Sequence, residues 1–135
     1  MRLSLSQRVQ ADPEGFSSLT PDEQAFYAAA FLSAEVRSGG FFQYFDLLKV
    51  DYWTATLRCL HGIGAIRSLK ILLDAKETLL GTGDLTQDML NKFQLPPYDP
   101  ELEWSDRLEE LDKQFWEDPD KLGDRLDAFA ESRLL

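Results

Sequence analysis

The sequence predicts an all-α protein, a single-domain bundle of six to seven helices. Apolar residues recur three and four positions apart, and no segment alternates apolar and polar residues as a half-buried strand does. Several segments also begin with residues that favour helix N-termini. A chain of 135 residues with 44% hydrophobic content is long enough to bury one core. We expect residues 1–18 to form an N-terminal extension and residues 19–135 to form the helical domain.

The clearest predicted helix begins after Thr20. The run Thr20-Pro21-Asp22-Glu23 matches a capping box with proline at the first helical position. We expect this helix to continue to about Arg37 and to end at Ser38-Gly39-Gly40. Its middle, residues 25–32, is apolar on every side, which is typical of a helix in the centre of a bundle.

Six further helical segments are predicted along the chain. Gly81 closes one of them, because glycine favours the position after a helix C-terminus. Asp118-Pro119 repeats an acid-proline start and predicts that the last helix begins at Pro119. The paired prolines in residues 94–98 predict a stiff connector. The expected spans are approximately residues 41–48, 52–61, 65–80, 87–93, 100–116 and 119–133.

The charge is strongly negative, with 14 basic against 24 acidic residues and a formal net charge of −10. Residues 1–98 hold 9 basic and 11 acidic side chains, whereas residues 99–135 hold 5 basic and 13 acidic ones. Such a chain repels phosphate groups, which argues against nucleic acid or an anionic membrane as the direct partner. The charge favours a basic protein as the partner.

The acidic side chains of the last two predicted helices fall on one face of each helix, opposite an apolar face. One interpretation is that both faces are simply solvated. The other is that rows of carboxylates, ~5–6 Å apart, imitate the ~7 Å phosphate spacing of a DNA strand. The two stripes are Glu103, Asp106, Glu110 and Glu117, followed by Asp120, Asp124, Asp127 and Glu131.

The most distinctive segment is residues 35–45, which we call the diglycine motif. Its two glycines permit a sharp reversal between helices, and its aromatic residues recur at helical spacing. We expect its Glu and Gln to hydrogen-bond the backbone of the turn. A small-ligand pocket that uses Glu35, Gln43 and Tyr44 is the alternative. The residues singled out are Glu35, Gly39, Gly40, Phe41, Gln43, Tyr44 and Phe45.

The diglycine motif resembles the signature of a bacterial family that is named after a DNA-mimic member and is otherwise largely of unknown function. Weaker matches are Leu19-Thr20-Pro21, Ile63-Gly64-Ala65, Leu111-Asp112 with Phe115-Trp116, and residues 118–122. The resemblance spans about Leu19 to Leu126. It implies a helical fold with an acidic surface that occupies the DNA-binding face of a transcription regulator, and it leaves a homodimer open.

No catalytic, cofactor or metal site is predicted. Cys59 and His61 are two positions apart on a helix and therefore point in different directions, while a structural zinc site needs four ligands. The N-terminus has too few apolar residues for a signal peptide, and no apolar run approaches the ~18 residues of a spanning helix. We therefore expect a cytoplasmic protein that is not an enzyme.

The leading hypothesis is an acidic interaction protein that blocks a basic, DNA-binding surface of a transcription regulator or another basic protein. Its negative charge would account equally well for an immunity-type inhibitor of a basic toxin or nuclease. The diglycine motif leaves the small-ligand domain as a third alternative.

Overall fold

A computed structural model describes residues 15–93 and 105–134 of the chain. Over these ranges the protein contains α-helices and no strand, which confirms the all-α prediction. The predicted helix start at Asp99-Pro100 and the acidic residue Glu103 lie outside the described residues. A short 3-10 helix, Gly15–Ser18, precedes α1 (Pro21–Leu47), α2 (Val50–Gly62), α3 (Ile66–Leu80), α4 (Gln87–Lys92), α5 (Ser105–Trp116) and α6 (Leu122–Arg133).

Helix α1 begins with the expected capping box and kinks at Gly40. The Glu23 amide donates to Thr20 Oγ1 at 3.2 Å, and the Thr20 amide donates to Glu23 Oε1 at 3.0 Å. Gly40 has φ 77° and ψ −179°, a conformation that glycine alone adopts readily. The predicted division at the two glycines is therefore present as a kink between two helical segments, without an intervening loop.

One hydrophobic core joins the helices. Helix α1 packs against α2, α5 and α6, and α3 packs against α2 and α5. The apolar faces of α5 and α6 are buried against this core, as their spacing predicts. The charged faces of these two helices consequently point outward. Their buried residues are Leu108, Leu111 and Phe115 on α5, and Leu122 and Leu126 on α6.

Helix α3 ends at Gly81, as predicted, with φ 82° at that residue. The buried side chain of Lys76 satisfies the carbonyl groups beyond the helix end. Its Nζ donates to Gly81 O at 2.6 Å and to Gly83 O. No helix within the described ranges is both long and apolar enough to cross a membrane.

Helix α6 begins at Leu122, so the prediction of a start at Pro119 was wrong. Asp118 adopts φ 56°, and its Oδ1 accepts a hydrogen bond from the Leu122 amide at 2.8 Å. Asp120 lies in the preceding turn, where its Oδ2 accepts from the Ser68 amide at 2.6 Å. This hydrogen bond joins residues that are 52 positions apart in the sequence, and it both fixes the turn and caps the start of α3.

Candidate functional site

Helix α5 supplies hydrogen bonds on both sides of the kink in α1. The Trp116 indole Nε1 donates to Val36 O, four residues before the kink, at 2.9 Å. The Phe41 amide, on the other side of the kink, donates to Asp112 Oδ1 at 2.9 Å. Because Asp112 and Trp116 are one turn apart, a single helix face holds the kink.

The polar side chains of the diglycine motif bond each other. Gln43 Nε2 donates to Glu35 Oε2 and to Ser38 Oγ, each at 2.6 Å. The expectation that Glu35 and Gln43 bind the backbone of the turn is therefore not met, because Asp112 and α5 take that role. The sequence held a signal for this, since Asp112 follows the buried Leu108 by one helical turn and lies beside the apolar face.

The aromatic residues of the motif are part of the core. Phe41, Tyr44 and Phe45 are almost completely buried, and Phe41 packs edge-on against Phe115 with ring centroids 5.5 Å apart. The Tyr44 hydroxyl lies beside Thr56, whose own hydroxyl donates to Tyr52 O at 2.7 Å. Within the described residues the Tyr44 hydroxyl has no partner that meets hydrogen-bond geometry. Burial raises the pKa of the Tyr44 phenol well above its usual value. This closed packing argues against a ligand pocket built on the motif.

Cys59 and His61 do not converge. Cys59 is buried, and burial raises the pKa of its thiol to about 11, which keeps it neutral at physiological pH. His61 is exposed on the surface.

Burial also raises the pKa of Asp112, to about 6, and the nearby Glu109 carboxylate adds to the rise, whereas the Phe41 amide opposes it. The folded protein therefore binds a proton between about pH 4 and 6 that the unfolded chain does not. The contribution of Asp112 to the free energy of unfolding is therefore highest below about pH 4 and is lost as the pH rises through 6.

We expect Asp112→Asn to remove this pH dependence, because asparagine keeps an acceptor oxygen and carries no charge. The free energy of unfolding of the variant relative to wild type should rise by about 1 kcal/mol from about pH 4.5 to 7, after allowance for solvent screening. Urea unfolding of both proteins at about pH 4.5 and at about pH 7 measures this change in relative free energy. An equal difference between the two proteins at both pH values would contradict the assignment.

The acidic stripe on α5 is interrupted. Asp106 and Glu110 are exposed, but Lys113 lies in the same stripe and reaches Glu109 at 3.6 Å. Arg107 reaches Glu110 at 4.0 Å from the side. These contacts offset part of the negative charge. Of the other two members of the predicted stripe, Glu117 lies beyond the end of α5 and Glu103 is outside the described residues.

The acidic stripe on α6 is unbroken once Asp120 is removed from it. Asp124, Asp127 and Glu131 are exposed on one face and form no ion pair with the described part of the chain. They span about 10 Å along the helix axis. The flanking residues, Gly123 and Ala128, are exposed and carry no charge. We call Asp124, Asp127 and Glu131 the α6 row.

Arg125, which follows Asp124 directly in the sequence, has its guanidinium directed away from the α6 row. The Arg125 guanidinium donates to Asp120 O at 2.7 Å and to Ile63 O at 2.9 Å. Its charge therefore lies between the turn before α6 and the joint of α2 and α3, where it bonds the carbonyl at the C-terminal end of α2. The carboxylates of the α6 row are therefore exposed to solvent and have no ion-pair partner among the described residues.

A family model described as DMP19-like protein matches residues 17–133. The chain belongs to the DMP19-like family. The match includes the α6 row and the kink, together with the residues of α5 that bond to the kink. No curated protein and no solved structure matches the chain.

Proposed function

We propose that this DMP19-like protein acts by binding and not by catalysis, and that the α6 row occupies the DNA-binding surface of a basic protein such as a transcription regulator. The observation that carries the proposal is the row itself. It comprises three exposed carboxylates on one helix face that form no ion pair with the residues the structure describes and have no basic residue among them.

The spacing of the row supports imitation of a phosphate backbone. Asp124 and Asp127 are separated by a rise of about 4.5 Å, and Asp127 and Glu131 by about 6 Å. Side-chain flexibility brings these spacings within reach of the ~7 Å step between phosphates of one strand. Phosphate contacts contribute much of the affinity of DNA-binding proteins and little of their sequence selectivity. A row of carboxylates on a rigid helix can therefore compete for such a surface without any bases.

The fold also supports the proposal, because it makes the row rigid. Leu122 and Leu126 bury the opposite face of α6, and three aspartates outside the row fix the elements around it. Asp112 holds the kink, Asp118 holds the start of α6 and Asp120 holds the start of α3. Membership of a DNA-mimic family is consistent with the same interpretation.

The test compares two variants with equal loss of charge. The row variant neutralises the three carboxylates of the α6 row, and the control variant neutralises three exposed carboxylates on other elements. Circular dichroism first establishes that both retain wild-type helicity. The row variant is Asp124→Asn, Asp127→Asn, Glu131→Gln, and the control variant is Asp46→Asn, Glu77→Gln, Asp84→Asn.

Each protein is then used for affinity capture from lysate of its native host at low and at high salt, with duplex DNA as a competitor. We expect wild type and the control variant to capture the same basic protein at low salt only, and duplex DNA to displace it. The row variant should capture little or none. Capture of a nuclease or toxin would assign the row to immunity-type inhibition. Equal capture by all three proteins would show that the α6 row is not needed to bind the partner.

A further inference from the structure

A groove between α3 and α5 has a charge opposite to that of the protein as a whole. It forms an open cavity of about 390 Å³, and its floor is the buried side chain of Ile71. Arg67 and Lys70 line it from the first turns of α3, and Arg107 lines it from α5. Three cationic side chains thus converge on one cavity in a chain whose net charge is −10.

The charged groups of the groove fall into two parts. At one end Arg107 lies 3.5 Å from Asp74, so these two charges largely offset each other. At the other end Arg67 and Lys70 have no carboxylate partner within the described residues, and Glu117 is the one acidic side chain of the lining that is not engaged in an ion pair there. The lining therefore carries one more positive than negative charge.

The size and polarity of the cavity suit a small molecule. Its volume falls in the lower part of the ~300–1,000 Å³ range of small-ligand pockets, and it combines an apolar floor with a few charged groups. Arg67 and Lys70 supply donors for an oxyanion, since guanidinium and ammonium groups form charge-assisted hydrogen bonds to phosphate and carboxylate. Glu117 supplies an acceptor for a hydroxyl group of the same ligand.

The geometry points to a binding site for a small hydroxylated oxyanion in this groove, a phosphorylated or carboxylated molecule held by Arg67 and Lys70. The site is separate from the α6 row, because none of its lining residues belongs to the row. It is also independent of the proposed function.

The site is tested with the full chain by titration of amide chemical shifts at constant ionic strength, using inorganic phosphate, citrate and glycerol phosphate as probes. We expect saturable shifts at residues 67–74 and at Arg107. The titrations with inorganic phosphate and with citrate distinguish a phosphorylated ligand from a carboxylated one. Glycerol phosphate should bind more tightly than inorganic phosphate if Glu117 accepts from its hydroxyl groups.

Two double variants, each of which removes two positive charges, test whether Arg67 and Lys70 hold the ligand. Arg67→Gln with Lys70→Gln should weaken binding about tenfold or more, because it removes two charge-assisted contacts. Lys49→Gln with Lys92→Gln, which changes exposed residues elsewhere, should bind as wild type does. The row variant should also keep the site, so failure of the proposed function leaves this result unaffected. Absence of saturation with all three probes, or wild-type binding by the Arg67→Gln, Lys70→Gln protein, would overturn the proposal.

Discussion

Replacement of Gly40 by alanine is expected to lower the free energy of unfolding by about 3 kcal/mol. Alanine at φ 77° and ψ −179° is strained, which costs about 1–3 kcal/mol. Its Cβ would also lie 2.6 Å from Asp112 Oδ2 and would displace that carboxylate. The buried Phe41 amide then loses its acceptor, at a further cost of about 1–3 kcal/mol.

Thermal unfolding followed by circular dichroism measures this loss, as a fall in the melting temperature of ~10 °C. Gly123→Ala is the matched control, because no atom lies within 4 Å of its Cβ position and it lies inside α6. We expect the control to be as stable as wild type or up to about 1 kcal/mol more stable. Equal melting temperatures for wild type and Gly40→Ala would show that the kink does not require glycine.

Phe41→Ala is expected to cost about 3–5 kcal/mol, the range typical of a buried aromatic residue. Phe41 is fully buried and contacts the ring of Phe115 on α5, so the cavity would open at the interface that holds α5. Urea unfolding should show a lower midpoint without a lower slope, since the surface exposed on unfolding stays similar.

Leu47→Ala provides the control for this substitution. Leu47 lies on the same helix and its side chain is 51% exposed, so its truncation should change stability by less than about 0.5 kcal/mol. Similar decreases in the free energy of unfolding for Phe41→Ala and Leu47→Ala would contradict the central position of the diglycine motif in the core.

The features that could be predicted from the sequence are local ones. The capping box at Thr20, the helix end at Gly81 and the division of α1 at its two glycines each depend on residues within a few positions of one another. The apolar faces of α5 and α6 follow from helical periodicity alone. Both kinds of signal are visible in a single sequence because the physical cause lies within one helix or one turn.

The features that were missed depend on contacts between distant segments. Asp120 has the right spacing for the acidic stripe on α6, yet its carboxylate caps α3 through Ser68. Asp112 was part of the family resemblance, but its bond to the Phe41 amide joins residues 71 positions apart. Periodicity places a side chain on a face and contains no information on which distant backbone group that side chain meets.

These contacts also sharpen the candidate site. The eight acidic residues singled out from the sequence become a smaller set, because the structure assigns Asp120 to a helix cap and shows Lys113 within the stripe of α5. Acidic residues that serve as caps are fixed by the fold and are poor candidates for contact with a partner. Among the described residues, the three carboxylates of the α6 row serve neither as helix caps nor in ion pairs.

The most direct test of the central claim is the affinity of the captured partner for wild type, the row variant and the control variant at two salt concentrations. We expect the row variant to bind at least about 100-fold more weakly than the control variant at low salt, because three charged contacts are lost. The difference in affinity should narrow as the salt concentration rises. Equal affinities of the two variants at low salt would show that the partner binds elsewhere on the protein.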